Sequence, residues 1–541
     1  MDFGRGAGAF TLRAVSKMLK ASGALAFATL LSRILGMVRE MAYYHFMGTT
    51  WVNDAFQYAF TVPNLFRRLL GEGALTAAFI PIFKEKEKNH GELEMWRAAN
   101  AVISGLVILG FAIVAVVLVG ISIALQVHQF NPQWDLMLRL LRIMFPYMLL
   151  ACVAAAMIGI LNARGHFFIP AMGATLLNIV MIASVYLVAP HFGVDLPKDR
   201  RLPVQIFALA YGVLVAGVAQ MLFQMPTMWR DGFKFHWTSP WKNETVQRVL
   251  HQMIPGTIGV AAFQINVAMI QGVGLFVGAG IVSSYVGAVR LMELPQGMFG
   301  ISLATYLLPT LSALATDKNY PEFRSTLRSG LSSLIFVNLI ASVLLVVLAE
   351  PIVRLLFEYG KFDAFSTGRV SFALECLAPG LVAFSTVNIL ARAFYALGDT
   401  KTPMRISVLC LVINFIAACL MIVPLHEGGP GLANSFTSLI NVGLLLFALK
   451  KKLAKLEMAP VRWALLHLIW MGAIAGIVAW MGWRVWAEYL GHATIPLRLG
   501  EVFVPAIVAG LIYLGLALWM KIPAAHEMLG FAFAKFRKLK K

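Results

Sequence analysis

Stretches of about twenty apolar residues recur along the whole chain, separated by short polar breaks, and none of the breaks is long enough for a soluble domain. A helix that rises about 1.5 Å per residue needs about 20 residues to cross a hydrocarbon core about 30 Å thick. Spans drawn on this pattern fall near residues 22–47, 52–83, 98–125, 136–163, 168–190, 204–228, 249–278, 284–314, 329–350, 370–397, 402–424, 430–449, 463–483 and 499–520, about fourteen in all. The pattern predicts an all-α polytopic membrane protein.

The punctuation of these spans repeats at an offset of 233 residues. Pro146, Gly165 and Pro170 in the first half match Pro379, Gly398 and Pro403 in the second, with apolar helix between the prolines and a polar turn after each glycine. The second and eighth spans also correspond, because each carries charges in its middle and is expected to close at a proline, Pro81 or Pro309. Residues 22–230 and 245–450 therefore read as two pseudo-symmetric six-helix lobes. An appended pair of helices follows at 460–520, then a basic tail at 521–541. An even number of spans per lobe gives the lobes the same orientation, and two bundles flanking a cleft can rock to alternate access.

Composition agrees with the pattern: 59% of the 541 residues are hydrophobic and 13% are charged, outside the range of soluble domains. The net charge of +19 would suggest nucleic acid on a soluble chain, but here it follows topology. With the N-terminus inside, 29 of the 45 Lys and Arg residues fall in the inner segments and 8 in the outer loops. That bias predicts both termini in the cytoplasm. The tail from Lys535 to Lys541 is assigned to anionic lipid headgroups, with a protein partner as the alternative. The first span carries Arg33, Arg39 and Glu40 and lacks a small-residue cleavage site after it, so it reads as a retained helix rather than a signal peptide. Cys152, Cys376, Cys410 and Cys419 lie in apolar stretches without metal-ligand or disulfide spacing, and the histidines form no metal-spaced cluster.

Candidate chemistry lies in charges placed where hydrocarbon is expected. A charged side chain at the centre of a bilayer helix costs roughly 2.5–3.5 kcal/mol on insertion scales, so several together should face a polar cavity. Residues 31–40 read LSRILGMVRE, and at about 100° per residue Arg33 and Glu40 share a face while Arg39 points elsewhere. Residues 53–73 read NDAFQYAFTVPNLFRRLLGEG. There Pro63 frees a carbonyl, Asn64 precedes Arg67 and Arg68 by one turn, and Glu72 follows Arg68 by one turn, which favours an ion pair. Arg67 is then the arginine more available to a ligand, and Asp54 either pairs with an arginine or caps the helix at the interface. In residues 285–295, YVGAVRLMELP, Arg290 and Glu293 can pair on one face, and Pro295 should kink the helix. Guanidinium stays charged in a dry site and its planar fork suits phosphate oxygens. The competing view is that embedded arginine pairs simply hold the two halves together.

The runs SRILGMVRE at 32–40, NDAFQYAFTVPNLFRRLLGEGALTAAFIPIF at 53–83, VRLMELPQGMFGISLATYLLP at 289–309 and LGDTKTP at 397–403 resemble the MurJ/MviN lipid II flippases, within the multidrug/oligosaccharidyl-lipid/polysaccharide exporter superfamily. The resemblance runs from about residue 22 to the end. It implies fourteen helices, two lobes, a V-shaped cavity and residence in a bacterial inner membrane. The implied substrate is lipid II, undecaprenyl-diphosphate carrying the disaccharide-pentapeptide unit of peptidoglycan. Cavity arginines carry over to Arg33, Arg39, Arg67 and Arg290, with Asp54, Asn64, Glu72 and Glu293 as supporting or gating positions. The appended helices, 463–520, would form a groove for the isoprenoid tail. Two positions depart from the pattern: Glu40 and Val289 stand where some members have aspartate, so any role of that second acid is absent or moved.

No phosphate-cradling nucleotide loop occurs, so ATP is not the expected energy source and a membrane potential or ion gradient takes its place. No nucleophile with an adjacent base stands out, and the chain is not expected to be an enzyme. Membrane lipids and the cell-wall synthesis machinery are the expected partners besides lipid II, and no nucleic acid or cofactor is expected. Two other functions fit the same features. One is an exporter of another undecaprenyl-diphosphate-linked oligosaccharide or of drugs, the latter disfavoured by the arginine excess; the other is a scaffold for cell-wall synthesis that moves nothing.

Overall fold

A computed structural model describes residues 28, 30–70, 74–241, 243–453 and 455–527, and all regular structure among them is helical. The chain divides into two compact units, Met1–Ala268 and Met269–Lys541. The first holds helix α1 at residues 30–47, α2 (Trp51–Leu70), α3 (Ala74–Val127), α4 (Pro132–Met144), α5 (Tyr147–Ala163), α6 (Phe168–Ala183), α7 (Lys198–Arg230) and most of α8 (Glu244–Val277). The second holds α9 (Ile281–Pro295), α10 (Ser302–Thr316), α11 (Tyr320–Val347), α12 (Ala349–Phe357), α13 (Ala364–Leu377), α14 (Leu381–Ala396), α15 (Lys401–Leu425), α16 (Gly428–Leu453), α17 (Ala459–Tyr489) and α18 (Ile495–Trp519).

Ten helical spans among the described residues are long and apolar enough to cross a membrane, and α4 with α5, bent by 41°, makes an eleventh. Two expected spans, the first and second, fall short for a physical reason. Helix α1 carries Arg33, Arg39 and Glu40, and α2 carries Asp54, Arg67 and Arg68. The embedded charges that signal chemistry are the same ones that dilute the hydropathy.

Two sequence expectations need correction. Pro81 does not close a helix but lies inside α3, and Pro309 lies inside α10. Losing one backbone hydrogen bond does not end a helix whose neighbouring turns are packed. Ala78, Phe79, Ile82 and Phe83 flank Pro81 and are buried, as are Leu307 and Leu311 around Pro309. The polar stretch expected to link the second and third spans is itself helical, broken at Gly91 with φ 83° and ψ 176°. Pairs at i,i+3 support it on either side of the break, Lys84–Glu87 at 2.6 Å and Arg97–Glu94 at 2.5 Å.

The repeated punctuation takes the same backbone form in each unit. After α5, Gly165 adopts φ +89° and the His166 amide donates to Leu161 O at 2.8 Å; after α14, Gly398 adopts φ +73° and the Asp399 amide donates to Phe394 O at 2.9 Å. Both are glycine-dependent helix stops, and both place the next proline in the first turn of the following helix, at Pro170 in α6 and Pro403 in α15. Upstream, Pro146 sits at the bend between α4 and α5, and Pro379 lies in a 3₁₀ turn before α14. The kink expected at Pro295 is a π-helical turn at Gln296–Ile301.

Apolar packing fixes each unit. In the first, Phe79, Phe83, Met95, Ile160, Leu161 and Met228 join α3, α5 and α7. In the second, Leu311, Phe323, Leu327, Ile389, Phe394 and Leu445 join α10, α11, α14 and α16. A separate core packs α17 and α18 on α11 through small residues, and a Cβ at Gly472 would stand 2.7 Å from a Leu339 methyl. That spacing brings α17 close to α11.

Candidate functional site

Helix α1 builds the first cluster of candidate side chains. Arg39 is 13% exposed; its guanidinium donates to Glu40 Oε1 at 2.5 Å and to Asn178 Oδ1 of α6 at 3.0 Å, and it lies 5.5 Å from the centre of the Tyr43 ring. The amide of Asn178 donates in turn to Ser32 O at 3.1 Å, so one α6 side chain spans two turns of α1 and fixes where the guanidinium fork points. Arg33 is exposed, as the angular separation from Arg39 requires.

Helix α2 builds the second. Arg67 Nε donates to Asn64 Oδ1 at 2.8 Å, the one-turn contact expected from their spacing. Arg68 donates to Gln264 Oε1 of α8 at 3.3 Å. Glu72, the expected partner of Arg68, lies outside the described residues. Asp54 is fully buried in the first turn of α2, beside Asn53, whose amide donates to Gly48 O at 2.6 Å. In sequence, residues 30–72 carry four arginines and the three acids Glu40, Asp54 and Glu72, an excess of positive charge.

In the second unit, Arg290 of α9 donates to Glu293 Oε2 at 2.9 Å across the i,i+3 step. The Arg290 side chain is about one-third exposed and that of Glu293 about one-half.

Asn178 and Gln264 escaped the sequence reading. Asn178 is an isolated amide in an apolar helix and Gln264 stands among other amides of α8, and an amide buried there needs a partner; that requirement was the available signal. A second set of buried charges was also missed. In the second unit Arg354 of α12 reaches Glu501 of α18 at 2.8 Å and Glu358 at 3.6 Å, and also pairs with Glu350. Arg498 reaches Glu358 at 3.4 Å, and Trp483 Nε1 donates to Glu501 Oε1 at 3.0 Å. Glu501 has no solvent exposure. Among the described residues no group of three His, Cys, Asp or Glu side chains stands close enough to hold a metal ion.

At the Gly398 turn, Asp399 accepts from Lys452 Nζ at 2.8 Å, the Thr402 amide at 3.0 Å and the Thr402 hydroxyl at 2.8 Å. The lysine hydrogen bond, followed by that of the Thr402 backbone, holds its carboxyl down at about 2. The matching turn at Gly165 is tied by Arg164 to Glu87 at 2.6 Å and Glu92 at 3.2 Å.

The family profile described as Lipid II flippase MurJ matches residues 41–499. A lipid II flippase MurJ from Burkholderia cenocepacia is 31% identical over 527 residues, covering 94% of this chain and 97% of its own length. A probable lipid II flippase MurJ from Vibrio cholerae is 30% identical, with 93% and 98% covered. Among solved structures, a lipid II flippase MurJ in an inward closed conformation superposes with a TM-score of 0.75 at 22% identity, covering 92% of this chain and 98% of its own. An inward-facing multidrug resistance MATE family transporter follows the same fold at a TM-score of 0.65 and 15% identity, with 79% and 96% covered.

Proposed function

The chain belongs to the lipid II flippase MurJ family, and from that premise we propose that it carries lipid II across a bacterial inner membrane with both its termini in the cytoplasm. Arg33, Arg39 and Arg67 of the first unit and Arg290 of the second engage the diphosphate and headgroup. The observation that carries this reading is the setting of Arg39: a nearly buried guanidinium in a membrane helix, paired with Glu40 and aimed by the neutral amide of Asn178. An arginine whose only task was to be hidden would be matched by carboxylates, as Arg354 is. A fork oriented by a neutral amide keeps its donors directed toward an anionic guest.

The prenyl tail has a berth of its own in the second unit. Val343, Val346, Val347, Gly476, Ile477 and Trp480 line an apolar groove of about 500 Å³ along α11 and α17. Its walls are hydrocarbon, suited to an isoprenoid chain and to no charged group. Energy comes from the membrane potential, worth about 2.3 kcal/mol per charge per 100 mV, which with a negative interior drives the diphosphate outward. The headgroup then leaves on the far side while the tail stays in lipid.

Translocation of labelled lipid II in reconstituted vesicles, with and without an imposed potential, tests the reading. Arg39→Ala and Arg290→Ala are each expected to lower the rate by at least about tenfold, the scale of a lost charge-assisted hydrogen bond. Normal rates in vesicles containing correctly inserted variant protein would refute the assignment of those residues.

A further inference from the structure

A cavity of about 570 Å³ opens in the first unit at the end that the charge pattern assigns to the cytoplasm, away from α1 and α2. Its walls are the charged stretch of α3 and the connector between α7 and α8. Residues 234–238 of that connector run extended along α3. Asn100 Nδ2 donates to Lys234 O at 3.0 Å, Asn100 Oδ1 accepts from the His236 amide at 3.2 Å, and Ser104 Oγ accepts from the Thr238 amide at 3.3 Å. Asn100 and Ser104 are buried, so these contacts hold the segment in register. Side chains of an extended segment alternate between its faces. Lys234, His236 and Thr238 accordingly line the cavity, while Phe235 and Trp237, 50% and 59% exposed, lie on the opposite face.

Three features of the cavity favour an oxyanion. Lys86 and Lys234 line it and have no carboxylate partner among the described residues, whereas its one lining acid, Glu94, is already paired with Arg97 at 2.5 Å. The indole N–H of Trp96, also in the lining, has no acceptor among the described residues. The N-terminal turn of α8 begins at the rim, where Asn243 caps it and Thr245 faces the space. Unpaired ammonium groups, a vacant indole donor and the positive end of a long helix together match phosphate oxygens. Aromatics at the membrane–water boundary, as Phe235 and Trp237 would be, seat such a segment at the level of lipid headgroups.

We propose that this cavity is a second anion site, separate from the headgroup arginines, which binds a phosphate group borne by a phospholipid or free in solution. The test titrates full-length protein in phosphatidylcholine nanodiscs by calorimetry. Inorganic phosphate and dihexanoyl phosphatidic acid are added in separate runs, in an Arg39→Ala, Arg290→Ala background. That background removes the proposed substrate arginines from the signal, so failure here and failure of the flippase reading are distinguishable. Binding of the lipid alone assigns the site to headgroups; equal binding of both assigns it to soluble phosphate. In either case Lys86→Gln with Lys234→Gln weakens binding by about tenfold, and Trp96→Phe, which keeps the ring but loses the donor, by about threefold. Should the lysine pair fail to fold, Trp96→Phe still decides. Absence of binding by the parent protein, or undiminished binding by the variants, overturns the proposal.

Discussion

Arg39 of α1 and Arg354 of the short helix α12 are both nearly buried arginines, and their surroundings differ. Arg354 and Arg498 share the three carboxyls of Glu350, Glu358 and Glu501, one carboxyl more than the guanidinium groups, and Trp483 also donates a hydrogen bond to Glu501. Arg39 shares Glu40 with a neutral oxygen from Asn178, in a stretch where guanidinium groups outnumber carboxyls. A carboxyl-rich cluster fastens α12 to α18 and offers a guest little, while a guanidinium aimed by a neutral amide keeps its fork directed for something that arrives later. The two regions teach that the count of neighbouring carboxyls, rather than burial alone, separates fastening arginines from binding ones.

The sharpest way to break the comparison is to unbalance the matched cluster. Glu501→Leu leaves Arg354 deep in the second unit without its innermost partner, and losing one member of a buried pair costs about 3–5 kcal/mol. Thermal unfolding in detergent should show a large loss of stability, with translocation per folded molecule nearly unchanged. A variant that keeps its stability but stops moving lipid II would put Arg354 and Glu501 among the binding groups and erase the distinction.

Asn178→Leu probes the other side at a smaller scale. The substitution removes the oxygen that aims Arg39 and the donor to Ser32 O, while keeping volume in α6. Translocation should fall by about tenfold or more, the worth of a hydrogen bond to a charged group, with stability changed little. Asn178→Asp should instead neutralise Arg39 as Arg354 is neutralised, and slow transport although the geometry persists. If the aspartate variant flips lipid II normally, the charge-matching argument fails.

Helix packing offers a third test, of intermediate clarity and lesser size. A side chain at Gly476 would meet Val343 at 2.9 Å, so Gly476→Val should push α17 from α11 at a cost of about 1–3 kcal/mol and reshape the apolar groove. Transport should weaken for long prenyl chains more than for short ones, read by comparing lipid II analogues of different tail length.

Much of this arrangement was legible in residue order, and the reasons for the remainder are physical. Apolar period and length predicted the membrane helices, and glycine's freedom at positive φ made the turns at Gly165 and Gly398 readable. Local pairs were readable too, since Arg67 with Asn64 and Arg290 with Glu293 lie one helical turn apart. Partners distant in the chain were not. Asn178 stands 139 positions from Arg39 and Glu501 stands 147 from Arg354, and no periodicity specifies which isolated polar residue of an apolar helix meets which charge. Pro81 misled because a proline marks a lost hydrogen bond, and whether the helix then ends depends on packing from Phe79 and Phe83 that the local sequence does not display.

The smallest expected effect concerns a matched pair in water rather than in hydrocarbon. Lys452 and the Thr402 amide hold the Asp399 carboxyl at about 2, below its ordinary 3.8, so the folded protein favours the ionised form more than the unfolded chain does. Stability from this contact is therefore fully present above about pH 4 and is lost as the pH falls through about 2. Because the pair is solvated, its worth is about 0.5 kcal/mol after screening. Asp399→Asn should be slightly less heat-stable than the parent at pH 6, and the gap should close on acidification toward pH 2. The gap across Glu501→Leu should remain far larger at neutral pH. A gap at Asp399 as large as that at Glu501 would mean that solvation does not set the worth of these ion pairs, and the contrast between Arg39 and Arg354 would need a basis other than the desolvation of unmatched charge.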